Sequence, residues 1–423
     1  MEDESGNAAE GGLGIKEMDA FSLTFPLPFR VAFIIVLGVW GWGVNCHYLH
    51  IIGIDVPALI RYPLRPYPGS TDPPSPAHTS IYRHAYHLTT LLLSLLLVFL
   101  LFTHRSAPLV LSFSPLASLT LLAILVYLIL PLPSHPGRAR FFATLRRISI
   151  GGLAQAQDGK FGDILVADAL TSYAKVLADL AVCVCAMLRR DGAGTAAAGG
   201  VGTGSTAPPE RGCGAGWVVP LVTLLPSVIR FRQCLVEYVR VRRSLGGGGA
   251  GAAGQGWGGQ HLANAAKYAT ALPVVVMGAA LSDASRGDDG RVRKWGLEET
   301  GLFRAWLVAV AANSLYSFYW DVARDWDLSL LSAERGGAAQ HPYGLRRHLR
   351  CGPPAVYYAV VALDLLLRCT WSVKLSPFLD EALGKGEGGL FVLEVAEVAR
   401  RGSGGAGGPE DVLLGDFGKL DED

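Results

Sequence analysis

The sequence predicts an all-α polytopic membrane protein, a bundle of eight to nine transmembrane helices around a polar interior. Three observations predict it. Half of the 423 residues are hydrophobic and only 17% are charged. Several apolar runs are too long for a soluble core and match the thickness of a bilayer. Ionisable residues nevertheless recur inside those runs, where each charge costs several kcal/mol unless it faces a cavity or a partner.

The runs follow in order. The first spans about Pro26–Tyr48, with Trp40, Trp42 and Tyr48 placed as interface aromatics. A Pro-rich loop, Tyr62–His78, separates it from about His87–Thr103 and about Ala107–Leu132. A basic linker from Arg138 to Lys160, carrying Arg140, Arg146 and Arg147, leads into about Gly162–Leu188. Next come about Gly216–Phe231, about His261–Ser282 with a kink expected at Pro273, about Leu302–Trp320 and about Pro354–Leu375. A shorter run at about Gly389–Ala399 would be the ninth. Residues 1–25 form a short acidic N-terminal tail, 26–135 hold about three helices, and 402–423 are a Gly-rich acidic C-terminal tail.

Lysine and arginine set the orientation. The segments Arg61–Arg83, Arg138–Lys160, Arg230–Arg243 and Arg335–Arg350 are the basic ones, and they alternate correctly if all four are cytosolic. The N-terminus is then lumenal or external, and a ninth helix returns the C-terminus to the cytosol. No basic n-region of a signal peptide precedes the first run, so that run is expected to drive insertion and remain in place.

Other classes find little support. Net charge near +1, with no basic tract interleaved with aromatics, excludes a nucleic-acid partner. Seven scattered cysteines form no CxxC pair and no metal spacing, and Cys183, Cys185, Cys234 and Cys369 read as thiols in apolar segments. The glycine-rich linkers at about 190–216 and 244–259 have no GK[ST] and no strand–helix setting, so they are flexible loops rather than phosphate loops. The pairs His47/His50 and His84/His87 lack a nearby Glu, which leaves a membrane enzyme unsupported and implies no cofactor and no metal.

The polar residues inside the runs form stripes. In Phe161–Asp179, FGDILVADALTSYAKVLAD, Asp168, Ser172, Lys175 and Asp179 fall within roughly 40° of one line at 100° per residue, with Thr171 beside it. Asn264, Lys267 and Tyr268 open the His261–Ser282 run. Asp321, Arg324 and Asp325 stand at i, i+3 and i+4 after the Leu302–Trp320 run, and Tyr357, Asp364, Arg368 and Trp371 share a face. Local ion pairs, Asp321–Arg324 and Asp364–Arg368, explain any one stripe equally well. Four stripes that all avoid lipid must converge, and convergence makes a pathway. Arg230, Lys267 and Arg368, with Arg400 and Arg401 from the last run, give it cationic character, and arginine's planar fork suits a tetrahedral oxyanion. The acids Asp168, Asp321 and Asp364 would hold those bases or accept hydrogen bonds from a protonated anion.

These stretches resemble the EXS domain of eukaryotic phosphate exporters and of a yeast Golgi protein. The matching stretches are FGDILVADALTS, PSVIRFRQCLVEY, HLANAAKYAT, YSFYWDVARDWDL and LLLRCTWSV, in the family's order over about residues 136–401, with GVWGWGVN (Gly38–Asn45) upstream. The resemblance implies a phosphate pathway of Asp168, Thr171, Arg230, Lys267, Tyr268, Asp321, Arg368 and Trp371, supported by ion pairs of Arg324, Asp325 and Asp364. Thr171 stands where animal exporters have Asn. Ala396–Arg401, AEVARR, resembles the family's Glu-x-x-Arg-Arg motif and makes Arg400 and Arg401 its basic pair, although an aromatic-rich helix is replaced by GSGGAGGPED. No SPX domain is recognisable, so gating through one is not expected.

The short form implies an inorganic phosphate transporter of the Golgi membrane, returning phosphate released by lumenal glycosylation to the cytosol and supporting retention of resident proteins. Its partners would be inorganic phosphate and the lipid bilayer, with a homodimer and Golgi glycosyltransferases or their sorting adaptor as further expectations. The alternative is a non-transporting adaptor that retains glycosyltransferases through its cytosolic loops. Within the Phe161–Asp179 stretch only the first half is expected to touch substrate, Lys175 and Asp179 pairing with each other.

Overall fold

Proline and glycine fix the ends of the first long helix. Pro26 caps it, Pro28 lies in its first turn where no N–H is needed, and Gly53 closes it at φ 92° with its N–H on His50 O. The computed structural model describes residues 20–53, 56, 60, 77–130, 136–150, 159–190, 218–246, 258–284, 299–326, 328–331, 342–345, 353–369 and 387–407. Described secondary structure is helical throughout: α1 (Ala20–Thr24), α2 (Leu27–Ile52), α3 (Ala77–Thr103), α4 (Ala107–Ser112), α5 (Ser114–Ile129), α6 (Pro136–Ile150) and α7 (Lys160–Ser172) come first. Then follow α8 (Ala174–Arg190), α9 (Val218–Gly246), α10 (Gly259–Ala269), α11 (Ala271–Ala284), α12 (Glu299–Trp320), α13 (Pro354–Arg368) and α14 (Glu387–Gly407). A π-helical turn, Asp321–Asp325, extends α12.

Four described helical stretches are long and apolar enough to cross a membrane: Leu27–Ile52, His78–Thr103, Val218–Arg243 and Gly259–Ser282. A fifth is the α7–α8 pair, bent by 70°. The α3 helix turns Leu93, Leu97 and Leu101 outward at four-residue spacing, a greasy stripe suited to lipid rather than water.

Three expected single helices are broken, each for a physical reason. Pro115 cannot donate to the carbonyl of Leu111, and the Ala107–Leu132 run splits at Phe113 into α4 and α5. Pro273 acts the same way on Ala269, so the kink falls at Thr270 and the proline rides harmlessly in the first turn of α11. The Gly162–Leu188 run contains no proline. It breaks at Tyr173, where the Thr171 hydroxyl donates to Asp168 O at 2.6 Å, a local competition that bends helices. Tyr173 itself docks against α2 at Gly38, where an added Cβ would lie 1.7 Å from the phenol oxygen.

Other bounds move outward. The α9 helix runs on through its basic end to Gly246 and tolerates Pro226 within it, while α14 is far longer than the Gly389–Ala399 run.

Two helices organise the packing. Around α2 gather α3, α5, α8 and α14; around α9 gather α7, α8, α10 and α11. Phe29, Ile34, Leu88, Leu92, Phe99, Leu121 and Ile124 fill the first group, with the Phe29 and Phe99 rings 5.3 Å apart. The C-terminal α14 lies against α1, α2, α7 and α13, which brings the end of the chain back to its beginning.

Candidate functional site

The second group of helices is held together by charge as well as by apolar contact. Lys267, in the last turn of α10, is buried and donates to Asp321 Oδ1 at 2.7 Å and to Asp325 Oδ2 at 3.1 Å. The π turn makes this double contact possible: its wider repeat, closed by Trp326 N–H on Asp321 O, lets both carboxylates reach one ammonium. Arg368, in the last turn of α13, bonds the other oxygen of Asp321 and donates through Nε to Asp364 at 2.9 Å. Arg400 of α14 donates to Asp364 Oδ1 at 2.8 Å, stands 3.8 Å from Asp321, and is gripped by Glu397 one turn earlier. Asp321 thus sits among three cations drawn from three helices.

A second knot adjoins the first through consecutive residues of α10. The Tyr268 hydroxyl donates to Asp168 Oδ1 at 2.8 Å and accepts from Arg230 Nε at 3.1 Å. Arg230 also lies 3.5 Å from Asp168, bonds Gln233 Oε1 at 2.9 Å, and covers the Tyr268 ring at 5.0 Å from its centroid. Lys267 Nζ approaches the same ring at 5.7 Å. Cations and acids alternate, so no buried base faces the bilayer uncompensated.

Of the residues singled out from sequence, Asp168, Arg230, Lys267, Tyr268, Asp321, Asp325, Asp364, Arg368 and Arg400 are brought together. Thr171 is one turn beyond Asp168, with its hydroxyl proton already committed to a backbone carbonyl. Arg324 is exposed, and among the described residues Asp321 pairs with Lys267, Arg368 and Arg400 instead of with it. Tyr357 packs with Trp326, Leu328 and Leu345. Trp371 lies outside the described residues, as does the side chain of Arg401.

Lys175 adds a distant partner to its expected local pair with Asp179. Its ammonium bonds Glu394 of α14 and reaches Asp179 only at 3.5 Å. Glu394, Glu397, Gln233 and Asp163 were not singled out from sequence. Asp163 is wholly buried and held by two nitrogens of Arg147, while its carbonyl accepts from Gln233 at 3.5 Å. An acid fully inside an apolar run was the available signal.

Cys46, Cys183, Cys234 and Cys369 are free thiols. Cys185 is disulfide-bonded, which corrects its reading as a thiol. The His47 and His78 rings stack at 4.3 Å. Among the described residues no group of histidines, cysteines or acids has a metal-holding arrangement.

The EXS family model matches residues 25–403. The chain belongs to the EXS family. It is 26% identical over 391 residues to Protein ERD1 homolog 1 of Schizosaccharomyces pombe, covering 92% of this chain and 90% of that one. To Protein ERD1 homolog 2 of the same yeast it is 25% identical over 437 residues, covering 91% and 97%. Human Solute carrier family 53 member 1 is 27% identical over 157 residues, a stretch that is 37% of this EXS chain and 18% of the human one.

Proposed function

We propose that this EXS protein carries inorganic phosphate across the Golgi membrane, returning lumenal phosphate to the cytosol in support of glycosylation and of the retention of Golgi residents. One observation carries the reading: Lys267, Arg368 and Arg400 are gathered on the single carboxylate of Asp321 at the meeting of α10, the π turn, α13 and α14. A tetrahedral oxyanion presents several acceptor oxygens to the same three donors, so it can take the place of that carboxylate without leaving a base unpaired. Exchange of one counter-ion for another keeps the barrier low, whereas tight binding to naked cations would trap the anion.

Asp364 and Glu397 aim the two guanidinium groups during the exchange, and Asp168 with Tyr268 aims Arg230. Trp371 and Arg401 complete the pathway in this reading, which passes through a bundle of eight to nine spans. The basic segments face the cytosol and the N-terminus faces the lumen. A disulfide at Cys185, near the end of α8 that this orientation makes lumenal, suits an oxidising compartment.

Phosphate efflux from proteoliposomes tests the site. R368A and K267A are each expected to reduce flux at least tenfold, a loss of one donor being worth about 1.4 kcal/mol or more in the barrier. Wild-type flux in both variants would remove these residues from the pathway.

A further inference from the structure

The α6 helix is not part of the anion cluster, and its composition is unusual. It has four arginines and no acid in PGRARFFATLRRISI. One side, with Thr144 and Ile148, is buried against the rest of the protein, and α6 packs on α7 and α5. The other side is open: Ala139, Phe142, Ala143, Arg146, Ser149 and Ile150 are all exposed and share an arc of about 120°, and Phe141 is exposed beside the buried strip. Phe142 is 42% exposed and Ile150 82%, an apolar surface with a single arginine in its middle. At 15 residues the helix is too short and too basic to cross a bilayer, yet too greasy to face water.

Its arginines divide by partner. Arg140 donates to Ile60 O at 3.0 Å, and Arg147 holds Asp163. Arg146 is exposed. Arg138 is half-buried and lies over the Tyr127 ring at 4.2 Å, with its Nη1 buried and without a hydrogen-bond partner among the described residues. Arg146 lies within the apolar arc and Arg138 at its edge, the pattern of a helix lying in a membrane interface with cations on lipid phosphates.

We propose that α6 is an interfacial helix that binds anionic phospholipid through Arg138 and Arg146, with Phe142 and Ile150 in the acyl boundary, and that this contact sets the position of α7. The link to α7 is a chain of bonds. Arg147 follows Arg146 and grips Asp163; the Asp163 carbonyl takes Gln233; Gln233 takes Arg230; and Arg230 meets Tyr268 and Asp168. Pulling α6 into the leaflet therefore acts on the buried arginine of the candidate pathway without any residue of α6 touching the anion.

The lipid-binding half stands on its own, and the coupling half rests on the phosphate reading. The purified chain is mixed with phosphatidylserine and phosphatidylcholine, and retained lipid is measured by native mass spectrometry. Phosphate efflux is then compared in phosphatidylcholine vesicles with and without one-fifth phosphatidylserine. Wild type is expected to prefer phosphatidylserine and to transport several-fold faster in its presence. The R138Q/R146Q variant is expected to lose both responses while keeping wild-type flux in neutral vesicles, and R138K/R146K to recover them. Unchanged phosphatidylserine preference in R138Q/R146Q overturns the proposal. So does a preserved flux response in that variant, which would place the lipid sensor elsewhere. Selective lipid binding with no phosphate flux under any condition would sink the transport reading and leave the α6 surface standing.

Discussion

Asp321 carries more of the candidate site than any other single residue. Lys267, Arg368 and Arg400 all contact it, and among the described residues Asp325, Asp364 and Glu397 share that load. Removing one member of a buried ion cluster leaves the rest uncompensated, at about 3–5 kcal/mol. D321N is therefore expected to unfold at clearly lower temperature in detergent and to lose flux. D325N should behave differently, because among the described residues that carboxylate meets one cation, Lys267, which keeps Asp321 as a partner. Equal destabilisation by the two substitutions would contradict the ranking. Much of this was legible from composition alone: an acid or base inside an apolar run must find a partner, and Asp168, Lys267, Asp321, Asp364 and Arg368 all do. The identity of the partners was legible only in part: the Asp364–Arg368 pair forms as its spacing suggests. Asp321–Arg324 and Lys175–Asp179 are the nearest neighbours along the chain, and in both cases a residue from another helix makes the stronger contact.

Helix breaks show the same division between local and distant causes. Phe113 and Thr270 mark breaks that follow from Pro115 and Pro273, and a strict reading of proline's missing donor places both. The Tyr173 break has a local part, the Thr171 hydroxyl on Asp168 O, and a distant part, a glycine in α2. Gly38 admits the phenol ring to a space where any side chain would collide, and no local pattern in ALTSYAK announces that. G38A is expected to cost about 1–3 kcal/mol, the usual penalty for overpacking, read as a lower unfolding temperature. Y173F should relieve part of the loss in G38A by removing the phenol oxygen. A G38A protein as stable as wild type would mean that Tyr173 docks elsewhere.

Across the whole molecule, α14 works as a clasp. Glu387 at its start bonds Arg30 of α2 at 2.6 Å, Glu394 bonds Lys175 of α8, and Arg400 bonds Asp364 of α13. The first of these is itself reinforced, since Arg30 also donates to Phe25 O and Ser22 Oγ, each at 2.7 Å. Ending the chain at residue 386 strips partners from all three helices at once. Such a truncation is expected to give no monodisperse protein on size exclusion, and a well-behaved product would show that the two helix groups hold without the clasp. The sequence showed this segment only as a short apolar run, because its glutamates and glycines dilute the hydropathy that would otherwise mark a span.

The breaks at Ser172 and Ala269, with the end of α13 at Arg368, have one more effect. Asp168 and Thr171, Lys267 and Arg368 all lie in the last turns of their helices, so three carboxy-terminal ends point into one region. Each helix end carries a partial charge of about half a negative elementary charge, felt within the final turn. Lys267 and Arg368 therefore sit in a standing negative field built from backbone rather than from side chains. That field does not move away when a carboxylate is displaced, and it stays with the lysine and the arginine while their counter-ions are exchanged. Uninterrupted spans would carry that partial charge to their far ends and leave the bases to the carboxylates alone.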